Sequence, residues 1–261
     1  MNIYLRIFTT TVKEYAAYRL NFVLWRFRMV LNLLFSFFLW SAVFDKRTAF
    51  GAYGKEAMIS YILYVSMIST FVMGSRTAEI GYEIQNGSII NMLLRPVSFF
   101  RYYLVRDLAD KTMNVVFAIV ELLFVIWVFH ASVIAPRNIL LFLFFFINGV
   151  LISFFINLML SFVGFFTHEI WAPRFLFTML VFFVSGSYFP LNILPAPLYR
   201  ALLFTPFPYL FYLPSQVIIG NLDTGSLLFE AVASTLWVMI LYQCMIFVWR
   251  SGNKNFSFWG R

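Results

Sequence analysis

The chain has 261 residues, of which 62% are hydrophobic and 11% are charged, whereas soluble domains have about 45–50% apolar and about 25% charged residues. This composition excludes a water-soluble globular protein, because the excess of apolar side chains could not all be buried in one core. The net charge of +8 does not indicate nucleic-acid binding, because the Lys and Arg residues flank apolar runs and form no continuous basic face.

Six apolar segments are long enough to cross a membrane, since a spanning helix needs about 20 mostly apolar residues. They predict an all-α polytopic membrane protein with a single transmembrane domain over residues 1–261. The predicted spans are Asn21–Phe44, Ala57–Gly74, Thr112–Ile134, Asn138–Phe166, Trp171–Tyr188 and Ser226–Trp249.

Positive charges are divided unequally between the alternate connections of these spans, with 14 Lys or Arg residues on one side and five on the other. Because cytoplasmic loops carry the excess, the richer side and both termini are predicted to be cytoplasmic. The richer side has Arg6, Lys13, Arg19, Arg26, Arg28, Arg76, Arg95, Arg101, Arg106, Lys111, Arg174, Arg250, Lys254 and Arg261, and the other has Lys46, Arg47, Lys55, Arg137 and Arg200.

The N-terminal residues 1–20 carry a stripe of mainly apolar and aromatic side chains at helical spacing. This pattern predicts an amphipathic helix that lies on the cytoplasmic membrane surface. A helical extension of the first span is the alternative. The stripe consists of Tyr4, Ile7, Phe8, Thr11, Tyr15 and Tyr18.

The connection over residues 76–111 is the longest polar stretch and the only one rich in both signs of charge. Ile80 and Ile84 stand four residues apart beside Glu79 and Glu83. This pattern predicts a short amphipathic helix.

The second half of this connection predicts a turn followed by another apolar face. Asn86 and Gly87 supply the turn or helix cap, and Ile89–Leu94 form a short apolar run that ends at Arg95 and Pro96. We expect a partner other than water to pack on this connection.

Residues 189–221 contain six of the nine prolines, at positions 190, 195, 197, 206, 208 and 214. A continuous spanning helix cannot hold them. Broken backbone at membrane depth must be buried in protein or line a wet cavity, so we predict a re-entrant helical hairpin on the outer side. An ordinary loop on the lipid headgroups is the alternative.

The sequence offers no catalytic or metal site. No G-x-x-x-x-G-K-[ST] phosphate loop occurs, so any ATP must be bound by another polypeptide. Asp107 and Asp110 form a D-x-x-D pair, but basic residues flank both and no second acidic cluster supports a Mg²⁺ site. His130 and His168 have no further ligand at helical spacing.

Glu121 is the one acidic residue well inside a predicted span, where an ionised carboxylate is costly unless it faces other helices or a cavity. Two interpretations stay open. Glu121 is a substrate-path or proton-linked carboxylate, or it makes a structural hydrogen bond to Asn, Ser or Tyr of another helix.

With these elements, nearly the whole chain resembles the permease subunits of type-2 ABC exporters, in particular a bacterial branch with six spans and no fused ATPase. The resemblance is strongest over residues 79–96, EIGYEIQNGSIINMLLRP, where an acidic residue precedes Gly and an aliphatic residue, and Leu-Leu-Arg-Pro follows. The proline-broken hairpin and the tail over residues 252–260 also match, although the branch more often has Tyr where Phe256 stands.

The resemblance implies that the loop helix docks in a cleft of a separate ATPase, which binds ATP and Mg, while this chain holds no cofactor. Glu79 and Glu83 would meet basic groups of that ATPase or cap its helices, while Ile84, Ile89 and Leu93 would fill an apolar cleft. The implied ATPase-coupling residues are Glu79, Gly81, Glu83, Ile84, Gly87, Ile89, Leu93, Leu94, Arg95 and Pro96.

The resemblance also implies a bacterial inner-membrane location among lipids, and a second permease that is a related chain rather than an identical copy. Two alternatives are an ion-coupled transporter or channel without an ATPase, and a membrane enzyme acting on a lipid-linked substrate. The first lacks paired interrupted helices in two halves, and the second lacks a further acidic or His cluster.

Cysteine labelling from outside tests the predicted orientation. An impermeant thiol reagent is expected to reach cysteines placed at Lys46, Arg137 or Arg200 and to miss those at Arg95 or Lys254, because only the first three lie on the charge-poor side. External labelling at Arg95 would reverse the orientation.

Overall fold

The computed structural model describes residues 3–167, 169–221, 225 and 227–255, so His168, Ser226 and the part of the tail from Phe256 onward lie outside the described residues. The helices in chain order are α1 (Ile3–Ala17), α2 (Arg19–Asp45), α3 (Lys55–Met73), α4 (Ala78–Gln85), α5 (Ile89–Leu93), α6 (Phe99–Phe129), α7 (Ile139–Phe162), α8 (Trp171–Val184), α9 (Ala196–Leu203), α10 (Tyr212–Ile219) and α11 (Leu227–Asn255).

The remaining regular structure is slight. Strands β1 (Ala49–Phe50) and β2 (Tyr53–Gly54) form an antiparallel hairpin before α3, and short 3-10 turns cover Val163–Phe165, Leu191–Ile193 and Phe207–Tyr209. The all-α class predicted from the sequence is confirmed.

Five of the described helices, α2, α3, α6, α7 and α11, are long and apolar enough to cross a membrane. Helix α8 has 14 residues, which is about 21 Å at 1.5 Å per residue and less than the hydrocarbon thickness of about 30 Å. The predicted fifth span over Trp171–Tyr188 corresponds to this apolar helix, which ends four residues earlier than predicted. The helix stops because the chain turns at Ser185 and Gly186, where φ is 81°.

Helices α3 and α7 form the centre of the molecule, whereas α2, α6 and α11 leave most of their apolar surface exposed, as helices in contact with lipid do. Helix α10 packs against both α3 and α7, and all eight of its residues are buried. The proline-rich segment thus folds into the short helices α9 and α10. Burial of α10 gives its interrupted backbone the protein surroundings that a membrane requires.

Polar side chains fasten this segment to the neighbouring elements. Gln216 on α10 donates to the Tyr53 hydroxyl at 2.6 Å, and Tyr53 donates to the Asn192 side chain at 2.9 Å. Tyr61 on α3 donates to the carbonyl oxygen of Gly186. These bonds satisfy groups that would otherwise be buried without partners.

Helix α1 is divided from α2 at Tyr18, where φ is −106° and ψ is 40°. It packs along α6, with Thr11 buried and the Tyr15 hydroxyl bonded to the Asp110 carboxylate. Tyr18 is 68% exposed, so the predicted stripe faces α6 only as far as Tyr15.

Gly149 on α7 tests how closely the proline-rich segment packs. A Cβ there would lie 2.8 Å from the carbonyl oxygen of Tyr209 and 3.3 Å from that of Leu210. We expect Gly149→Ala to lower the free energy of unfolding by about 1–3 kcal/mol, as overpacking does, measured by thermal unfolding in detergent. Gly54→Ala is the control, since nothing lies within 4 Å of a Cβ at that position, and equal losses for both variants would contradict the prediction.

Candidate functional site

The site is built around the end of α3, where the fully buried ammonium group of Lys111 lies. Its Nζ donates to the carbonyl oxygens of Phe71 at 2.8 Å, Val72 at 2.9 Å and Gly74 at 2.5 Å, and the Asp107 carboxylate lies 3.5 Å away. The last carbonyl groups of a helix have no partners within the helix, and their dipole favours a cation. Lys111 therefore fixes the point at which α3 passes into the loop.

A second set of charges ties the loop to α1 and α6. Arg76 pairs with Glu14 and lies 3.2 Å from Asp110, while Arg106 lies 3.0 Å from Glu79 and 3.3 Å from Glu14. The Glu79 carboxylate is thus paired within this chain. Its predicted contact with a partner stays a prediction, and α6 supplies an arginine partner within the chain.

The apolar face of α4 and α5 packs inward, on α6, α7 and α11. Ile84 and Ile89 are almost completely buried, and the Glu83 carboxylate accepts a hydrogen bond from Tyr103. The predictions that Ile84 and Ile89 fill a cleft of a partner are therefore wrong for this structure, whereas the predicted contact of Glu83 with a partner stays a prediction. The cluster comprises Ile80, Ile84, Ile89, Met92, Phe99, Tyr103, Phe154, Leu158, Phe162 and Met245.

The opposite side of these short helices is exposed and partly apolar. Tyr82, which also lines the cavity described below, is 50% exposed, Leu94 is 79% exposed and Leu93 is 36% exposed, and Arg95 and Pro96 follow Leu94 in the exposed end of the loop. We call these five residues the exposed loop face. It contains four of the predicted coupling positions, Leu93, Leu94, Arg95 and Pro96, and Tyr82 was not among the predictions.

Two glycines shape the loop. Gly87 has φ of 75°, a left-handed conformation that glycine adopts at no steric cost, and it forms the predicted turn between α4 and α5. Gly81 lies against the turn after α7, where a Cβ on Gly164 would stand 2.9 Å from the Gly81 carbonyl oxygen. The two backbones touch directly.

Arg174 on α8 bonds the beginning of α4 to α7. Its guanidinium donates to Asn157 Oδ1 at 2.7 Å, Ser161 Oγ at 3.0 Å and Thr77 Oγ1 at 3.3 Å, and Ser161 donates to the Thr77 carbonyl at 2.6 Å. The sequence analysis counted Arg174 only as a loop charge. Its position among apolar residues at the start of the predicted fifth span gave no sign of these partners.

Glu121 pairs with Arg26, which lies within α2 and is 6% exposed. Arg26 Nε donates to Glu121 Oε1 at 2.8 Å, its Nη2 donates to Oε2, and its Nη1 lies 3.4 Å from Asn114 Oδ1. The predicted hydrogen bond from Asn, Ser or Tyr to Glu121 is wrong. The signal for the true partner was an arginine inside an apolar run, which the sequence analysis assigned to the cytoplasmic side.

A cavity of about 710 Å³ lies among α2, α3, α6 and α8 and extends from Tyr82 on α4 to Tyr188. Its lining combines large apolar side chains with Arg28, Arg174 and Glu121. The cavity and the loop therefore adjoin, and Arg174 belongs to both.

This architecture defines a polytopic helical membrane protein with a folded polar loop fixed beneath a cavity between its helices. Residues 30–260 match the family described as ABC-2 family transporter protein, and the chain belongs to that family. It is thus a multi-pass permease of an ABC transporter, for which the family implies an ABC ATPase partner. A search of curated proteins found no match.

Removing one charge of the Arg26–Glu121 pair tests how much this ion pair contributes to stability. Glu121→Gln is expected to destabilise the protein by about 3 kcal/mol, because breaking a buried pair leaves the Arg26 guanidinium without its counter-charge. The double variant with Arg26→Gln should recover most of the loss in thermal unfolding, since neither charge is then unpaired. A single variant as stable as the wild type would show that the pair contributes nothing.

Proposed function

We propose that the chain is the membrane-spanning half of an ATP-driven exporter in the cytoplasmic membrane of a bacterium, and that a second permease, a related chain rather than an identical copy, completes the path. A separate ATPase binds ATP and Mg²⁺, consistent with the lack of a phosphate loop in this sequence. Both termini and the exposed loop face lie in the cytoplasm, which the distribution of Lys and Arg supports.

The observation that carries this proposal is the exposed loop face, because it is apolar, accessible and rigidly attached. Leu94 and Tyr82 offer side chains of the kind that anchor protein interfaces, and the neighbouring Arg95 offers a charge for the rim. Behind them, the buried face of α4 packs on α6 and α7. A partner that moves the exposed loop face therefore moves the spans.

Residues 79–96 keep their proposed coupling role, but only some of them contact the ATPase. Ile84, Ile89 and Glu83 attach the loop to its own chain, while Leu93, Leu94, Arg95 and Pro96 meet the ATPase. Gly81 and Gly87 supply the close contact and the turn that this arrangement needs. Glu79 sets the position of α4 through Arg106.

The ion-coupled alternative has less support. It relied on Glu121 as a carboxylate that binds and releases a proton or ion. Both oxygens of this carboxylate contact Arg26, so the carboxylate is engaged in an ion pair within this chain.

Alanine substitutions separate docking from folding. Leu94→Ala and Tyr82→Ala are each expected to weaken ATPase association by about 2 kcal/mol, as central apolar anchors do, with little change in thermal stability. The measurement is the amount of ATPase that co-purifies with the permease from membranes. Leu228→Ala is the matched control, because Leu228 on α11 is equally exposed at 79%.

Ile89→Ala provides the opposite comparison, since its side chain is fully buried and its loss should lower stability first. If Leu94→Ala and Tyr82→Ala both leave ATPase association at the level of Leu228→Ala, the exposed loop face is not the docking surface.

A further inference from the structure

We propose that the cavity binds an amphiphile with one anionic head group and an apolar chain, and that Arg174 and Arg28 hold the head group. The inference rests on the proposed function and deepens it by naming the class of substrate. It also assigns Arg174 a second role, because this residue connects the cavity to the beginning of α4.

The charges of the cavity favour an anion. Of the lining residues that the structure describes, Glu121 alone is acidic, and Arg26 already neutralises it. Among the described residues, neither Arg28 nor Arg174 has a carboxylate within 4.0 Å. Two guanidinium groups are thus left without a counter-charge in a site that the neighbouring helices partly enclose.

The geometry of Arg174 suits a bound head group. Its hydrogen bonds go to neutral oxygens of Asn157, Ser161 and Thr77, which orient the guanidinium without cancelling its charge. An oriented guanidinium binds carboxylate, sulfonate or phosphate oxygens through charge-assisted hydrogen bonds, which are shorter and stronger than neutral ones.

The rest of the lining favours an apolar chain. Trp25, Trp171, Phe175, Phe182 and Met67 line the cavity. Aromatic and thioether groups of this kind accommodate flexible aliphatic chains of different shapes. The volume of about 710 Å³ lies within the range of about 300–1,000 Å³ that is typical of small-molecule sites.

Arg174 also gives the bound head group a route to the loop. Thr77 immediately precedes α4, and it is bonded to both Arg174 and Ser161. A head group that draws Arg174 into the cavity competes with these bonds. Occupancy of the cavity thereby changes the position of α4, and with it the exposed loop face.

A binding measurement on the full chain tests the proposal without an ATPase. The protein is placed in phosphatidylcholine nanodiscs and titrated with 11-(dansylamino)undecanoic acid or with its methyl ester. Energy transfer from tryptophan to the dansyl group reports binding, since Trp25 and Trp171 line the cavity, and empty nanodiscs correct for partitioning into lipid. The acid should bind at least about tenfold more tightly than the ester, the factor expected for one charge-assisted hydrogen bond.

Variants locate the head group. Arg174→Gln and Arg28→Gln should each weaken binding of the acid by about tenfold and leave binding of the ester unchanged, whereas Arg174→Lys should retain most of the affinity. Arg101→Gln, at an exposed arginine outside the cavity, is the matched control. If Arg174→Gln also abolishes binding of the ester, the cavity has collapsed in that variant. The result for Arg28→Gln then decides the outcome.

The proposal is overturned if the acid and the ester bind the wild type equally, or if Arg28→Gln leaves the affinity for the acid unchanged. Adding phosphatidylglycerol to the nanodiscs identifies the source of the anion. Displacement of the acid indicates a membrane lipid, and retention indicates an exported amphiphile. Loss of ATPase association in the experiment on the exposed loop face has no bearing on these binding curves, so the two proposals fail separately.

Discussion

The contact between the Lys111 ammonium and the last carbonyl groups of α3 is the one on which the loop between α3 and α6 depends. Helix α3 is among the most buried spans, and its end lies away from solvent, where carbonyl groups without partners would be costly. A single side chain satisfies three of them. Because Lys111 comes from α6, the same contact sets the height of α6 relative to α3, and the loop between them begins and ends at fixed places.

From that point the loop is attached to four neighbouring helices, α1, α6, α7 and α8. Arg76 connects it to α1 through Glu14, and Arg106 connects it to α6 through Glu79. Its apolar face packs on α7, and Arg174 joins its beginning to α8. A loop that joins two spans is usually the most mobile part of a membrane protein, but this one is part of the packed structure. The exposed loop face remains accessible.

Local features of the structure followed from the sequence, and pairings between distant residues did not. Periodicity and a glycine turn located α4, Gly87 and α5 to within two residues, and the prolines predicted the interrupted helices near α10. Periodicity shows that a helix has an apolar face, but it does not show what covers that face, so Ile84 and Ile89 were assigned to a partner. Arg26 and Glu121 lie 95 positions apart, and no local pattern connects them.

The contact between Gly81 and Gly164 has a mechanical consequence. Side chains change rotamer easily, so a joint made of side chains yields when it is loaded and absorbs part of the displacement. At these two glycines one backbone rests on another, with the Gly81 carbonyl oxygen 2.9 Å from where a Cβ on Gly164 would stand, and close-packed interiors have low compressibility. A displacement of α4 is therefore passed to the end of α7 with little loss, and a single methyl group at Gly164 would separate the two backbones and shorten the displacement that is passed on.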